Sequence, residues 1–334
     1  MLIGPAIALT APYGGLPVIP LIRPGWISPR LSFSRAQFTD IDASHIGADN
    51  STLAFDAADA ARFSGAAGRL TIEGQRTNAL SATETLSTQS VIVTATAYTL
   101  SFWGTGSVTL SGAATGTLAG TGAANRVTQT FTPSAGTLTL TVTGTVNYAQ
   151  LEQGTFASTY IRKATGAATR GADLVTASLA SLGIPPSGAC TMLWSGVKPQ
   201  FAAASGATQS IIQLDDGTGT NRFMLRNPTP TSVVTVNRVT AGSVAGDASV
   251  GTPSAGVAFA AGLTIDGAGR LAASFNGAAV GVRIGGPTSG LTTLRVGTDI
   301  SGASALFGDT GYLDVIPRPV DDATLQRLVA AFPT

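Results

Sequence analysis

The run Tyr98-Thr-Leu-Ser-Phe-Trp103 sets apolar side chains at alternate positions with Thr or Ser between them. The same period returns in Val108-Thr-Leu110, Val127-Thr-Gln-Thr-Phe131 and Leu138-Thr-Leu-Thr-Val142. Successive side chains of an extended strand point to opposite faces, so a period of two specifies antiparallel strands with one side buried. Val91-Ile-Val-Thr94 adds a further strand, and nearly every gap in the series contains Gly, which supplies the backbone angles that tight turns need. Strands this short and this close together build a small β-sandwich, expected over residues 80–162.

A second series begins near Leu174: Cys190-Thr-Met-Leu-Trp194, Ser210-Ile-Ile-Gln-Leu214, Arg222-Phe-Met-Leu-Arg226, Val233-Val-Thr-Val236, Val257-Ala-Phe-Ala260, Leu271-Ala-Ala-Ser-Phe275, Val280-Gly-Val-Arg-Ile284, Thr293-Leu-Arg-Val296 and Tyr312-Leu-Asp-Val-Ile316. Asp215-Asp-Gly-Thr-Gly-Thr-Asn221 and Asp266-Gly-Ala-Gly269 read as turns, and Asn276-Gly277 as a two-residue hairpin. At the end, Asp321 or Asp322 caps a helix whose Leu325, Leu328, Val329 and Phe332 share one face, so it should pack on the sandwich. The reading is all-β: two antiparallel sandwiches in tandem, closed by one short C-terminal helix.

Between the blocks, 163–177 is small, Gly-bearing and without apolar period, as a linker would be. Residues 1–30 carry Pro5, Pro12, Pro17, Pro20, Pro24 and Pro29, whose fixed φ and missing N–H favour extended backbone, so an arm is expected there. Residues 31–79 hold Phe33, Phe55, Phe63, Leu70 and Ile72 as anchors in short extended pieces, with Arg35, Arg62, Arg69 and Arg76 placed to bond carbonyls or carboxylates. The domain order is therefore 1–30 arm, 31–79 attachment segment, 80–162 small sandwich, 163–177 linker and 178–334 second sandwich.

Only 11% of the 334 residues are charged and the net charge is +1, which leaves no electrostatic footprint for nucleic acid or anionic lipid. No apolar run is long enough to cross a bilayer as a helix. Met1 to Pro20 lacks a basic start, and Gly and Pro interrupt it, so a signal peptide is not expected.

Three regions carry a resemblance, and the first, Leu31 to Asn78, resembles the segment that precedes the jelly roll in phage fibre proteins. Ala149-Gln-Leu-Glu-Gln-Gly-Thr-Phe-Ala-Ser-Thr-Tyr-Ile161, followed by Ala168-Thr-Arg-Gly-Ala-Asp173, resembles the junction between a jelly-roll module and a laminin-G or concanavalin-like module in bacteriophage and prophage fibre or spike proteins. Phe307-Gly-Asp-Thr-Gly-Tyr-Leu-Asp-Val-Ile-Pro-Arg-Pro-Val-Asp-Asp-Ala-Thr-Leu-Gln-Arg-Leu328 resembles the end of the concanavalin-like module of phage tail proteins, with Pro319 where those modules more often have a basic residue. The resemblance implies a structural virion protein on the surface of a phage or phage-like particle. It would join other virion proteins through its N-terminal arm, assemble as a homotrimer and adhere to host cell-surface polysaccharide. An enzyme degrading that polysaccharide and a purely architectural decoration protein are the alternatives.

No catalytic residue is assigned. His45, the only histidine, sits in Asp42-Ala-Ser-His-Ile-Gly47 without a nucleophile-elbow motif. Cys190 is alone, so it forms no intrachain disulfide, and its apolar strand marks it as a buried thiol. A glycosidase needs two carboxylates across a sugar bond; the only glutamates are Glu73, Glu84 and Glu152, and Glu73 and Glu152 fall inside structural motifs. Asp215, Asp216 and Asn221 carry oxygens that calcium could use, but without the spacing of a calcium loop, so a turn is the preferred reading and no cofactor is assigned. Trp103 and Tyr98 read as core rather than as a sugar platform, and no glycan-binding residue is named.

Overall fold

The computed structural model describes residues 13–37, 43–46, 52–56, 60–163, 165–201 and 206–334. It is all-β, with antiparallel sheets and one α-helix at the C-terminus. The chain forms two compact units: Arg35–Ala66 with Gln75–Ala172, and the chain through Ser34 with Ala67–Gly74 and Asp173–Thr334.

The first unit is the small sandwich. One sheet runs Gly122–Phe131, Tyr98–Gly104, Val146–Gln153; the other runs Gly116–Ala119, Ser107–Gly112, Gly136–Thr143, Gln89–Val93. The alternation seen in the sequence becomes the core, with Leu100, Phe102, Leu151, Val108, Leu110, Leu138 and Leu140 at 2% exposure or less. Tyr148 breaks the period: its φ of 49° lies in the left-handed region, and its ring sits edge-on to Trp103 and Tyr160. Trp103 and Tyr98 are 4% and 5% exposed, in line with a core position. His45 lies in the short strand Ala43–Ile46, paired with Leu53–Asp56.

In the second unit one sheet runs Trp26–Ile27, Ile19–Arg23, Gly308–Ile316, Cys190–Val197, Ala258–Ile265, Arg270–Phe275, Gly281–Ile284. The other runs Ser243–Gly251, Val234–Thr240, Arg222–Asn227, Gln209–Asp215, Thr293–Val296 and then residues 175–178. Helix Asp322–Ala330 is capped by Asp321, which accepts from the Thr324 N–H at 2.8 Å. Leu325, Leu328, Val329 and Phe332 bury against Leu193, Ala260 and Ile316. Gly262 allows this approach, since a Cβ there would lie 2.5 Å from Val329.

Four sequence expectations need correction. Residues 13–30 of the expected arm are built into the second unit: Ile19–Arg23 pairs with Gly308–Ile316, and Leu21 and Ile22 are fully buried. Pro20 is tolerated because the register shifts between Pro20 and Ile22, at a bulge where no ladder N–H is required. Arg23 then pairs with buried Asp314 at 2.5 Å, and the Tyr13 hydroxyl donates to the same carboxylate. The expected attachment segment is not one piece, since Arg69–Ile72 belongs to the second unit and Arg76–Asn78 to the first. The expected linker is largely strand Ala168–Ser178; its buried positions include Arg170 and Asp173, polar residues that hide the period of two. The Asn276-Gly277 turn is present with both φ positive, but pairing resumes only at Gly281, so the loop exceeds two residues.

Candidate functional site

Tyr98 and Gln153 are direct cross-strand partners at the ends of their strands. The period of two sets Tyr98 on the face of Leu100 and Phe102, and Gln153 on the face of Leu151, so the sandwich core opens here into a groove. The groove has a volume of 390 Å³. Buried Leu151, half-buried Ala79 and the ring of Tyr98 give it an apolar lining; Gln75, Arg76, Thr77 and Gln153 give it amides, a hydroxyl and a guanidinium.

The polar groups are held from behind. Gln153 donates its amide to the Tyr98 hydroxyl at 3.1 Å, and the Thr94 N–H reaches the same oxygen at 3.4 Å. Arg76 lies over the Phe156 ring at 4.8 Å and 3.4 Å from the Glu152 carboxylate. Gly154 leaves room for it, since a Cβ there would stand 3.0 Å from an Arg76 Nη. Glu152, fully buried, accepts from the Ser158 N–H and hydroxyl at 2.7 Å each and from Gln150 at 2.6 Å. An anchored guanidinium beside an apolar floor needs little reordering when a ligand arrives, which lowers the cost of binding. The rim of the groove offers donors and acceptors for sugar hydroxyls, while the apolar surface behind them is narrow, since Leu151 is fully buried and Tyr98 is 5% exposed.

The residues weighed for chemistry are dispersed or committed. Glu84 is half-exposed and pairs with Arg162 at 2.9 Å. Cys190 is fully buried, and desolvation pushes its thiol up. The side chain of His45 lies outside the described residues. Asp215 is buried, bonded by Arg295 at 2.6 Å and Gln213 at 2.8 Å. Asp216 accepts from Thr218 and Asn221, closing the turn. These three residues do not converge as a ligand set, and the arrangement does not fit a calcium ion. Among the described residues no group of three or more His, Cys, Asp or Glu could hold a metal, and no helix is long and apolar enough to cross a membrane.

Lys198 was not singled out by the sequence. It is fully buried, its amine donates to Asn227 at 3.3 Å, and desolvation pulls its pKa down to about 7. A neutral amine is a good nucleophile, but full burial closes this one to any substrate in the present conformation.

No protein-family model matches the chain, and no curated protein matches it. Among solved structures it is similar to a leech intramolecular trans-sialidase, at 14% identity over 46% of this chain and 25% of that one, with a TM-score of 0.36. A Trypanosoma rangeli sialidase matches at 7% identity over 47% and 26%, TM-score 0.36. Domains LG4-5 of the mouse laminin α1 chain match at 11% identity over 75% and 92%, TM-score 0.30. The chain spans about a quarter of the length of the two sialidases.

Proposed function

We propose that the chain is a non-enzymatic fibre or spike subunit of a phage or phage-like particle, and that it adheres to bacterial surface polysaccharide through the groove beside Tyr98 and Gln153. The observation that carries the adhesive part is the groove itself, 390 Å³ with an apolar floor and a rim of two glutamines, a threonine and an arginine. Its size falls within the roughly 300–1,000 Å³ of ordinary small-ligand sites. The virion part rests on the junction and C-terminal motifs of the sequence. Particle attachment goes to the N-terminal region, with the qualification that Ile19–Arg23 also completes a sheet.

Self-association, with a trimer as the expected state, has support in two edge strands. Gln89–Val93 and Gly281–Ile284 each end a sheet, and they present Ile92 and Ile284 at 76% exposure each. Unpaired edges with exposed isoleucine favour pairing with another copy. Weak single sites then gain from copy number on one fibre.

The test of the groove uses Gln75→Ala with Gln153→Ala in the full chain. Both side chains are exposed, so folding should be retained. Retention on host cells should fall about tenfold or more, from two lost hydrogen-bonding groups. Unchanged retention overturns the site.

A further inference from the structure

We infer that the C-terminal unit carries a second pocket, at Ser210 and Arg222, that takes the carboxylate of an acidic sugar. The inference rests on the adhesive reading only for the source of the ligand. The pocket has a volume of 100 Å³ and lies against Ser210, Arg222, Met224, Arg226, Asp299 and Ser304. It is about a quarter of the volume of the groove beside Tyr98, a size that suits a small charged group better than a whole ring.

The pocket is created by an irregularity. In Gln209–Asp215 the register shifts between Ser210 and Ile212, and the two consecutive isoleucines Ile211 and Ile212 are both fully buried. The shift sets Ser210 opposite Arg226 and on the side of Arg222 and Met224, away from Leu214 and Phe223. A bulge of this kind re-aims one side chain at small cost. Ser210 is 1% exposed, and its hydroxyl has no hydrogen-bond partner among the described residues. An enclosed hydroxyl that lines a concavity without a partner is a group prepared for a ligand.

Arg222 supplies the charge. The neighbouring arginines are already paired, Arg226 with Asp247 at 3.0 Å and Arg295 with Asp215 at 2.6 Å. Arg222 has neither an ion-pair nor a hydrogen-bond partner among the described residues, and its Nε is buried and unsatisfied. Asp299 also lines the pocket; Ser301 and Ala303 donate to its Oδ1 and Ser304 bonds the carboxylate as well, which keeps it ionised, so the ligand's carboxylate is held on the Ser210 and Arg222 side of the pocket. A planar guanidinium with free donors, next to a free hydroxyl, matches a carboxylate. The ring that bears the carboxylate stays outside, where Thr208 at the rim can meet its hydroxyls. Uronic acids have this shape: one carboxylate on a neutral ring.

The experiment titrates the full-length protein calorimetrically with an oligoglucuronate, with its carboxyl-reduced neutral counterpart, with free glucuronate and with inorganic sulfate. The acidic oligosaccharide should bind about tenfold or more tighter than the reduced one, and the preference should fade with salt. Arg222→Gln should remove that preference while leaving the thermal midpoint and the affinity for the reduced sugar unchanged. Arg222→Lys should restore part of it, and Ser210→Ala should weaken it to a smaller extent. Equal binding of both oligosaccharides by the wild-type chain, or an acidic preference that survives Arg222→Gln, overturns the inference and leaves the groove intact. Sulfate binding as tight as glucuronate makes the pocket a general anion site and overturns it as well. Glucuronate binding that depends on Arg222, without any binding of either oligosaccharide, upholds the pocket and counts against the adhesive reading.

Discussion

Replacing Lys198 by Met should stabilise the protein, and by an amount that depends on pH. The folded chain lowers the pKa of this amine from 10.5 to about 7 because burial penalises the ammonium form. At ~1.4 kcal/mol per pKa unit, the penalty at pH values below about 7 is roughly 5 kcal/mol. A lysine whose folded pKa is depressed holds its proton less firmly folded than unfolded. The unfolded chain therefore binds more protons between about pH 7 and 10.5, and stability rises with pH through that window and is flat below it. Methionine has a similar length and no charge, so it removes the penalty; it also removes the hydrogen bond to Asn227 and the contact of the amine with the Phe201 ring 5.1 Å away, together about 1–2 kcal/mol. The expected gain is roughly 3–4 kcal/mol near pH 6, shrinking towards zero near pH 10. Urea unfolding followed by tryptophan fluorescence at both pH values measures it. Taking the difference between variant and wild type at each pH cancels the shared contribution of Cys190, whose thiol burial pushes up. A gain that does not change with pH, or a loss near pH 6, would refute the reasoning, since it would mean that the ammonium is compensated in the fold.

Deleting residues 1–30 should lower the thermal midpoint sharply, against the sequence expectation of an extended attachment arm. It strips buried Leu21 and Ile22 from the sheet and leaves Asp314 without Arg23 and Tyr13, a loss of about 3–5 kcal/mol for the broken ion pair alone. Gly277→Ala should cost about 1–3 kcal/mol in a chemical melt, because φ is +77° there and a Cβ would lie 2.5 Å from Ala330. Acid should destabilise the C-terminal unit as pH falls below about 4. Burial pushes the Asp266 and Asp299 carboxyls up, but hydrogen bonds from Arg270, Ala268 and Gly269 to the first, and from Ser304 and Ser301 to the second, hold both below their ordinary value. Their stabilisation is present above the unfolded pKa and lost as pH falls through the folded one, so Asp266→Asn should flatten the acid limb of a stability-against-pH curve.

The parts legible in the sequence are those where burial and hydrophobicity coincide. Leu100, Phe102, Leu138 and Leu140 alternate with Thr and Ser, and they line the core as the period requires. The C-terminal helix was readable from its capping Asp321 and its apolar face. Ile19–Arg23 was not, because prolines disguise a strand that pairs around them, and Ala168–Ser178 was not, because Arg170 and Asp173 occupy buried positions. The groove was hidden for a different reason. Tyr98 and Gln153 stand 55 residues apart, and only strand register makes them neighbours. Ser210 and Arg222 depend likewise on a bulge that no local pattern announces.

The most direct test of the central claim is to incubate the purified full-length protein with host surface polysaccharide and follow two quantities at once, the protein retained on whole cells and the length of the polymer. Retention that free polysaccharide competes away, with polymer length constant over time, is the predicted result. Progressive shortening of the polymer would make the chain an enzyme, and no retention with no shortening would leave it without an adhesive role; either outcome contradicts the account.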